Sequence, residues 1–337
     1  MEHAQAVPVA PSIQAEFVCP RCKGELAANS TSYCCGRCAV TYPVLFGISD
    51  FRLRSDRYLS LEDERAKAGR LYEFGQSASV EEVVQFYYSL SDDLPHNMAL
   101  RYQAATIAAS ERAQHIVRDL APKLESDILV DLGCGTGGLL VAAQTCFRAI
   151  YGVDIALRWL VVCKKRLEEN NATATLVCAD AEALPFPSRT FTQAVAADLV
   201  EHIHDIDSTL GEISRILKPG GLLWLCAANR YCVGPHPLAG VWAIGFLPAR
   251  PRARLLKKLK GIDLLRYANM VSPGYLEALL RKRGFAHLAT KPKHVVAGVT
   301  AGYDVFERGL VALYRLAMRL PFMRGILVRI GPVGQRS

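Results

Sequence analysis

Four acidic residues and a run of glycines recur at a spacing that suits a cationic ligand carrying a nucleoside. The run Val130-Asp131-Leu132-Gly133-Cys134-Gly135-Thr136-Gly137-Gly138 brings an acid to the end of an apolar stretch and follows it with glycines. Glycines let a backbone approach a ligand closely and adopt positive φ, and a helix starting there offers free N–H groups. Such a turn can cradle a phosphate, as in dinucleotide sites. An acid two residues before the first glycine would repel pyrophosphate. It suits a cationic group instead, such as the ammonium of a methionine moiety beside a sulfonium. Asp154 comes nineteen residues after Gly135, where a carboxylate can accept from both hydroxyls of a ribose. Asp180, in Cys178-Ala179-Asp180-Ala181, can accept from an adenine amino group while the next backbone N–H reaches the ring. Asp198 ends the following apolar stretch.

A second constellation lies nearer the start. Cys19-Pro20-Arg21-Cys22, then twelve residues, then Cys35-Gly36-Arg37-Cys38 makes two Cys-x-x-Cys knuckles. Each puts two thiolates on one tight turn, and together they supply the four soft ligands that tetrahedral Zn2+ prefers. So short a segment has little core of its own, and a metal would supply much of its folding energy. Cys34 is a spare that leaves the third ligand open between Cys34 and Cys35. Redox or disulfide pairs are the competing reading; an odd total of 11 cysteines without a secretory signal argues against a disulfide framework.

The elements around these residues read as a parallel sheet with crossover helices. DILVDLGC, AIYGVDI, ATLVCAD, FTQAVAAD and GLLWLCAAN are strands, with helices TGGLLVAAQTC, ALRWLVVCKKRLEEN and STLGEISRIL between them and a turn at KPGG. The four acids then fall at the carboxyl ends of four successive strands, where open α/β sheets bind ligands. PGYLEALLRKRG reads as a further helix, FAHLATKPKHVV as a sixth strand, and GILVRIGPVG as a seventh pairing antiparallel with the sixth. Four segments are expected: a loose tail over 1–16, a ribbon over 17–53, a helical linker or lid over 54–125, and an α/β domain over 126–337. Residues 230–270 form a Pro-rich, basic insertion.

VDLGCGTGG, YGVDI, CADAEALPFP, FTQAVAADLVEHIHD and RILKPGG, in this order, resemble the class I methyltransferases of the methyltransferase type 11 group. The resemblance runs from about residue 127 to 228. It implies a Rossmann-like, seven-stranded α/β fold that binds S-adenosyl-L-methionine. It implies that Asp131, Gly133, Gly135 and Gly137 line the methionine end, and that Asp154 binds the ribose with Ile155 beside it. Asp180 and Ala181 would bind the adenine, and Asp198 and Leu199 would close over the cofactor. The knuckles with AVTYPVLFGISDF resemble the zinc-ribbon domains related to the small activator subunits of RNA and protein methyltransferases. That resemblance implies a structural Zn2+ on Cys19, Cys22, Cys35 and Cys38.

Methyl transfer needs mainly alignment, and a base only where the nucleophile must lose a proton. His202 is the candidate base, with Glu201 and His204 beside it; the competing reading is that Glu-His organises the loop. Cys134, Cys163, Cys178 and Cys226 read as small core residues. The expected acceptor is a small-molecule or lipid-like metabolite. The rival acceptor is an rRNA base, but ADLVEH lacks the Asn/Asp-Pro-Pro pattern of many exocyclic amino methyltransferases, and no Pro-Cys nucleophile is present. Nucleic acid is therefore the less favoured partner. A scaffold that kept the fold and lost activity is the non-enzymatic reading.

Hydrophobic residues make up 51% and charged residues 21%, which fits a chain that builds a core. The net charge of +8 permits an anionic partner without demanding one. The first residues lack the basic start and apolar run of a signal peptide, and no stretch is apolar enough to span a membrane. A cytoplasmic protein with reduced thiols is expected. In Asp304–Arg329, apolar residues share one helical face with arginines around it. This helix either packs on the α/β domain or makes weak contact with an anionic membrane surface.

Overall fold

The computed structural model describes residues 17–90, 96–122, 126–232, 236, 238–261, 263–292 and 330–336, with single positions between 305 and 316. The expected tail over 1–16 and most of the expected C-terminal helix lie outside the described residues. At 305, 308, 309, 312, 313 and 316 the backbone is helical, and Val305, Leu313 and Leu316 are exposed.

The N-terminal region is an antiparallel run: β1 (Ala27–Ala28), β2 (Ser32–Cys35), β3 (Val40–Leu45) and β4 (Ile48–Asp50). Helices α1 (Leu61–Gly75), α2 (Val80–Ser89), α3 (His96–Ile107) and α4 (Ala109–Leu120) follow. Local sequence explains two of the starts. Ser60 accepts from the Asp63 N–H ahead of an acidic first turn, and Ser79 with Glu82 forms a capping box.

The chain then alternates strand and helix. It runs β5 (Ile128–Leu132), α5 (Gly138–Ala143), β6 (Ala149–Asp154), α6 (Leu157–Glu169), β7 (Thr175–Cys178), β8 (Phe191–Ala197), α7 (Ile206–Ile216) and β9 (Leu217–Cys226). An insertion with α8 (Ala249–Lys260) leads to α9 (Pro273–Lys282), β10 (Phe285–Pro292) and β11 (Ile330–Arg336).

All strands join one sheet in the order β1-β2-β3-β4-β7-β6-β5-β8-β9-β11-β10. The segment β7-β6-β5-β8-β9-β11-β10 is the Rossmann-like methyltransferase arrangement. Strands β7, β6, β5, β8 and β9 are parallel, and β11 lies antiparallel between β9 and β10. The seventh strand does pair antiparallel with the sixth, and it also pairs with β9. KPGG, expected as a turn before the fifth strand, lies inside β9. Gly220 takes φ +75 there, and the register against β8 shifts between Phe191 and Gln193.

The sheet buries both faces. Along β5, Val130 and Leu132 point into one core with Phe186, Phe191, Ile213 and Leu280, while Leu129 points into the other with Leu71, Val84, Ile116 and Leu160. This is the period-2 alternation of a strand. The insertion has a small core of its own around Ala239, Ile244, Leu256 and Leu265. Among the described residues, no helix is long and apolar enough to cross a membrane.

The ribbon is continuous with the larger sheet. Strand β4 pairs in parallel with β7, Ser49 opposite Val177 and Asp50 opposite Cys178, and the Phe51 N–H donates to the Cys178 carbonyl at 2.7 Å. Phe17, Tyr33, Tyr42 and Phe51 pack ring against ring at this joint, and Phe17 reaches Phe186. Lys23 crosses to Glu212 at 2.7 Å and to the Leu184 carbonyl at 3.1 Å. After β4, residues 51–60 run along the carboxyl edge of the sheet before α1 begins.

Candidate active site and cysteine centre

Strand β5 carries Asp131 just before its last residue, Leu132, and the chain then turns through three left-handed glycines, Gly133, Gly135 and Gly137 at φ +73, +51 and +78. Only glycine adopts this geometry without strain. At Gly137 space forbids a side chain as well, because a Cβ would lie 2.4 Å from Cys163 Sγ on α6. The turn closes onto the neighbouring strand. The N–H groups of Gly133 and Cys134 donate to the Val153 carbonyl at 2.8 and 3.0 Å.

Asp154, at the end of β6, ties the same turn. One of its oxygens accepts from the Gly135 N–H at 2.9 Å and the other from the Ala156 N–H at 2.8 Å. Each oxygen keeps a second lone pair, enough for a pair of ribose hydroxyls. Burial raises the Asp154 pKa, opposed by those two N–H groups and by Arg158. Asp131 is only 4% exposed. Burial and the Asp154 charge push its carboxyl up to about 8. Both sites therefore favour a ligand that brings positive charge or hydrogen-bond donors.

Asp180 follows β7. Its Oδ1 accepts from the Glu182 N–H at 2.9 Å, and its Oδ2 is held by Arg54, whose guanidinium also reaches Glu182. Ala181 sits between the two acids. Glu182 in turn accepts from the N–H groups of His204 and Asp205 at 2.8 Å each, tying the loop after β8 to the loop after β7. Asp198 directly follows β8 with φ +54, an unusual conformation for a non-glycine residue. Its N–H donates to the Cys226 carbonyl at 2.9 Å. Leu199 covers the glycine turn, its Cδ1 3.1 Å from where a Gly133 Cβ would stand. The Ile155 carbonyl accepts from Arg52 at 3.4 Å. The ten residues expected to hold a cofactor thus gather at one edge of the sheet.

His202 lies on the loop after β8. Its Nδ1 is 2.8 Å from the Tyr58 hydroxyl. Burial lowers its pKa, assisted by Arg57 and opposed by Asp198, so the ring is neutral near pH 7. Two tautomers fit the contact. If the phenol donates, the ring proton sits on Nε2. If Nδ1–H donates, Nε2 is left as an acceptor. Tyr58 also packs edge-on against Tyr267, 6.0 Å between centroids. Glu201 is buried and serves structure, its Oε1 accepting from the Ala228 N–H at 2.6 Å.

Sequence reasoning missed Arg54, Arg57, Tyr58 and Glu182. Glu182 stands inside a motif already singled out, between Asp180 and the loop it anchors. Nothing local marks the other three, which belong to the 51–60 strap. Below the strap, Arg158 at the start of α6 is paired with Asp56 at 2.9 Å and with Glu64 of α1, which fixes the strap beside the end of β6.

In the ribbon the thiols of Cys19, Cys22, Cys35 and Cys38 lie within 4.8 Å of one another. Successive residues of a strand point to opposite faces, and this settles the third position. Cys35 joins the cluster, while Cys34 faces Thr41 Oγ1 at 3.4 Å. Burial opposes ionisation of Cys19, but hydrogen bonds from Tyr42 and from the backbone of Cys22 and Arg21 outweigh it and bring the thiol to about 6. Hydrogen bonding to Cys22, burial and contact with Cys19 push Cys38 up to about 12. Converging thiols with unequal acidity are the donor set a soft divalent cation would draw together.

The methyltransferase domain family model matches residues 130–225. An ubiquinone biosynthesis O-methyltransferase of Brucella anthropi is 30% identical over 46% of this chain and 58% of its own length. A demethylmenaquinone methyltransferase of Symbiobacterium thermophilum is 32% identical over 43% of this chain and 60% of its own. The chain thus spans at most about three fifths of the first curated relatives it matches. The structure of a geranyl diphosphate methyltransferase superposes with a TM-score of 0.48 at 17% identity, over 68% of this chain and 85% of that one.

Proposed function

We propose, from the premise that this chain carries the domain of the class I S-adenosylmethionine-dependent methyltransferases over residues 130–225, that it transfers a methyl group from that cofactor to a small-molecule or lipid-like acceptor. One observation carries the reading: Asp131, Asp154, Asp180 and Asp198 lie at or just past the carboxyl ends of four neighbouring strands around one left-handed glycine turn. In this reading Asp131 with Gly133, Gly135 and Gly137 receives the amino-acid end. Asp154 with Ile155 takes the ribose, and Asp180 with Ala181 takes the adenine. Asp198 and Leu199 close over the sulfonium side. The names of the two relatives support a small-molecule acceptor.

The cofactor supplies an activated methyl group, and the chain supplies alignment. Leu199 shields the glycine turn from water. His202 stands as the base for an acceptor that must lose a proton, and only the tautomer with its proton on Nδ1, donated to Tyr58, can take that proton at Nε2. In that state the Tyr58 hydroxyl accepts from Nδ1–H and holds the tautomer. The four ribbon thiols would hold one Zn2+ as a structural ion, away from the transfer chemistry.

Calorimetry with S-adenosylmethionine tests the first half. Micromolar binding is expected, and no binding by folded protein would leave an inactive scaffold. Labelled cofactor incubated with a cell extract, with the product identified by mass, then identifies the acceptor.

A further inference from the structure

A cavity of about 200 Å3 opens at the joint where the ribbon, the 51–60 strap and α1 meet. Arg21 of the first knuckle, Arg52 of the strap and Arg65 of α1 line it, with Asp50 as the one acid in its wall. Three guanidiniums beside one carboxylate leave this wall with a net charge of +2.

The arginines are not equally committed. Arg52 meets both oxygens of Asp50, at 2.8 and 2.7 Å, and the two side chains are closed off from solvent. Arg65 reaches the same carboxylate through one nitrogen at 3.2 Å and stays 46% exposed, which leaves further N–H groups of its guanidinium unused. Arg21 is exposed, and among the described residues it has no ion-pair partner. Two cations with donors to spare therefore border a neutral buried pair. Guanidinium forks of this kind match the oxygens of a carboxylate or a phosphate.

Much of the remaining wall is apolar. Leu61 stands one helical turn before Arg65 on the same face of α1, and Leu53 of the strap joins it in the lining. Tyr42 lines the cavity too, and its hydroxyl meets Cys19 Sγ at 3.3 Å. The cysteine centre thus lies behind this wall, and none of its four thiols lines the cavity. None of the ten cofactor-edge residues lines it either; the two places are joined through Arg52, which reaches the Ile155 carbonyl at 3.4 Å.

Size and charge narrow the occupant. The volume lies below the roughly 300–1,000 Å3 of drug-sized sites. A carboxylate would leave one of the two excess positive charges unmatched. A phosphate monoester is close to a dianion above pH 7 and matches both. A bare phosphate ion would match the charge and gain nothing from Leu53 and Leu61.

We propose that this cavity binds a phosphate monoester carrying a small apolar group, with Arg21 and Arg65 on the phosphate and Leu53 and Leu61 on the apolar part. The site is separate from the cofactor edge, and it stands whether or not the methyltransferase reading does. An occupant would tie ribbon, strap and α1 together and stabilise the folded chain by mass action.

Calorimetric titration of the full chain as purified, with phenyl phosphate at about pH 7.5 and constant ionic strength, tests the site. Saturable binding with a dissociation constant of about 1 mM or below is expected, together with a melting temperature that climbs as phenyl phosphate is added. Inorganic phosphate lacks the ring and benzoate carries a single charge, so each should bind at least about fivefold more weakly. Arg21→Gln and Arg65→Gln should each weaken phenyl phosphate binding about tenfold, the scale of one lost charge-assisted hydrogen bond. Both variants should keep the parent's circular dichroism and its melting temperature without ligand, which shows that they are folded. S-adenosylhomocysteine should not displace phenyl phosphate. Absence of saturable binding would overturn the proposal, as would binding that both variants retain. Displacement by S-adenosylhomocysteine would overturn it by moving the ligand to the cofactor edge. Benzoate binding as tightly as phenyl phosphate would overturn the phosphate assignment, and inorganic phosphate doing so would overturn the monoester.

Discussion

Lowering the pH from 7 to 6 should weaken S-adenosylhomocysteine binding about tenfold through Asp131, at about 1.4 kcal/mol per pH unit. An ordinary aspartate titrates near 3.9 and would be fully ionised in this range. Asp131 is instead pushed up to about 8 by burial and by the Asp154 charge. It is then about one-tenth ionised at pH 7 and about one-hundredth at pH 6. A ligand ammonium that pairs with the carboxylate must first displace this proton, so binding should release about one proton between pH 6 and 7. Calorimetry in two buffers of different ionisation heat measures that release directly. 5′-Methylthioadenosine supplies the control, because it keeps the adenosine and lacks the amino-acid end. It shares any pH dependence that arises at Asp154 or Asp180, so the ratio of the two affinities isolates Asp131. That ratio should grow about tenfold per unit from pH 6 to 7, and Asp131→Asn should flatten it. The shift also has a sign for stability. The unfolded chain gives up this proton near 3.9 and the folded chain keeps it to about 8, so the unliganded fold should lose stability as pH rises through that window. A constant affinity ratio with no proton release would refute the placement of Asp131 at the ammonium.

Three further outcomes are expected. Asp154→Ala should weaken S-adenosylmethionine binding by about 1.5–3 kcal/mol, the scale of lost charge-assisted hydrogen bonds, in a protein that still folds; calorimetry checks it, and unchanged affinity removes Asp154 from the site. Elemental analysis should find one zinc per chain, and Cys19→Ser or Cys38→Ser should lose it while the parallel sheet survives; carefully prepared protein without zinc would leave the four thiols without their proposed role. Tyr58→Phe should shift the 15N resonances of the His202 ring towards the free tautomer mixture, because it removes the hydroxyl that, among the described residues, meets Nδ1 at 2.8 Å; an unchanged spectrum would mean that Tyr58 does not set the tautomer.

The acids of the site were legible because each ends an apolar run. An alternating or continuous apolar segment predicts a strand, and parallel strands joined by helices put their carboxyl ends on one edge. Glycine at 133, 135 and 137 was legible for the same local reason, since φ near +50 to +78 belongs to glycine. The choice between Cys34 and Cys35 was not legible until the extent of β2 was known, because strand alternation decides it. Arg54 and Tyr58 were hidden more deeply. Their partners Asp180 and His202 are 126 and 144 residues away, and their own neighbourhood, Arg54-Ser55-Asp56-Arg57-Tyr58, reads as an ordinary polar linker. A strap that crosses a site has no periodicity to betray it.

The joint between ribbon and sheet follows from the same physics. Without β4, strand β7 would be an open edge with unpaired backbone groups, a template for unwanted pairing. Strand β4 covers it with only two residue pairs, Ser49 with Val177 and Asp50 with Cys178, so short a contact that backbone bonding alone would fix the register weakly. Asp50 supplies the missing specification. It is buried, its two oxygens accept from Arg52 at 2.8 and 2.7 Å, and Arg65 of α1 adds a third contact at 3.2 Å. These cations hold its pKa below the usual carboxylate range against the cost of burial. Arg52 also donates to the Ile155 carbonyl beside the ribose acid. A one-residue slip would turn Asp50 and Arg52 together to the opposite face, away from Arg65 of α1 and from the Ile155 carbonyl that Arg52 meets. A buried pair of this kind adds little net stability over an apolar contact; here it selects the one register that lays the 51–60 strap across the cofactor edge.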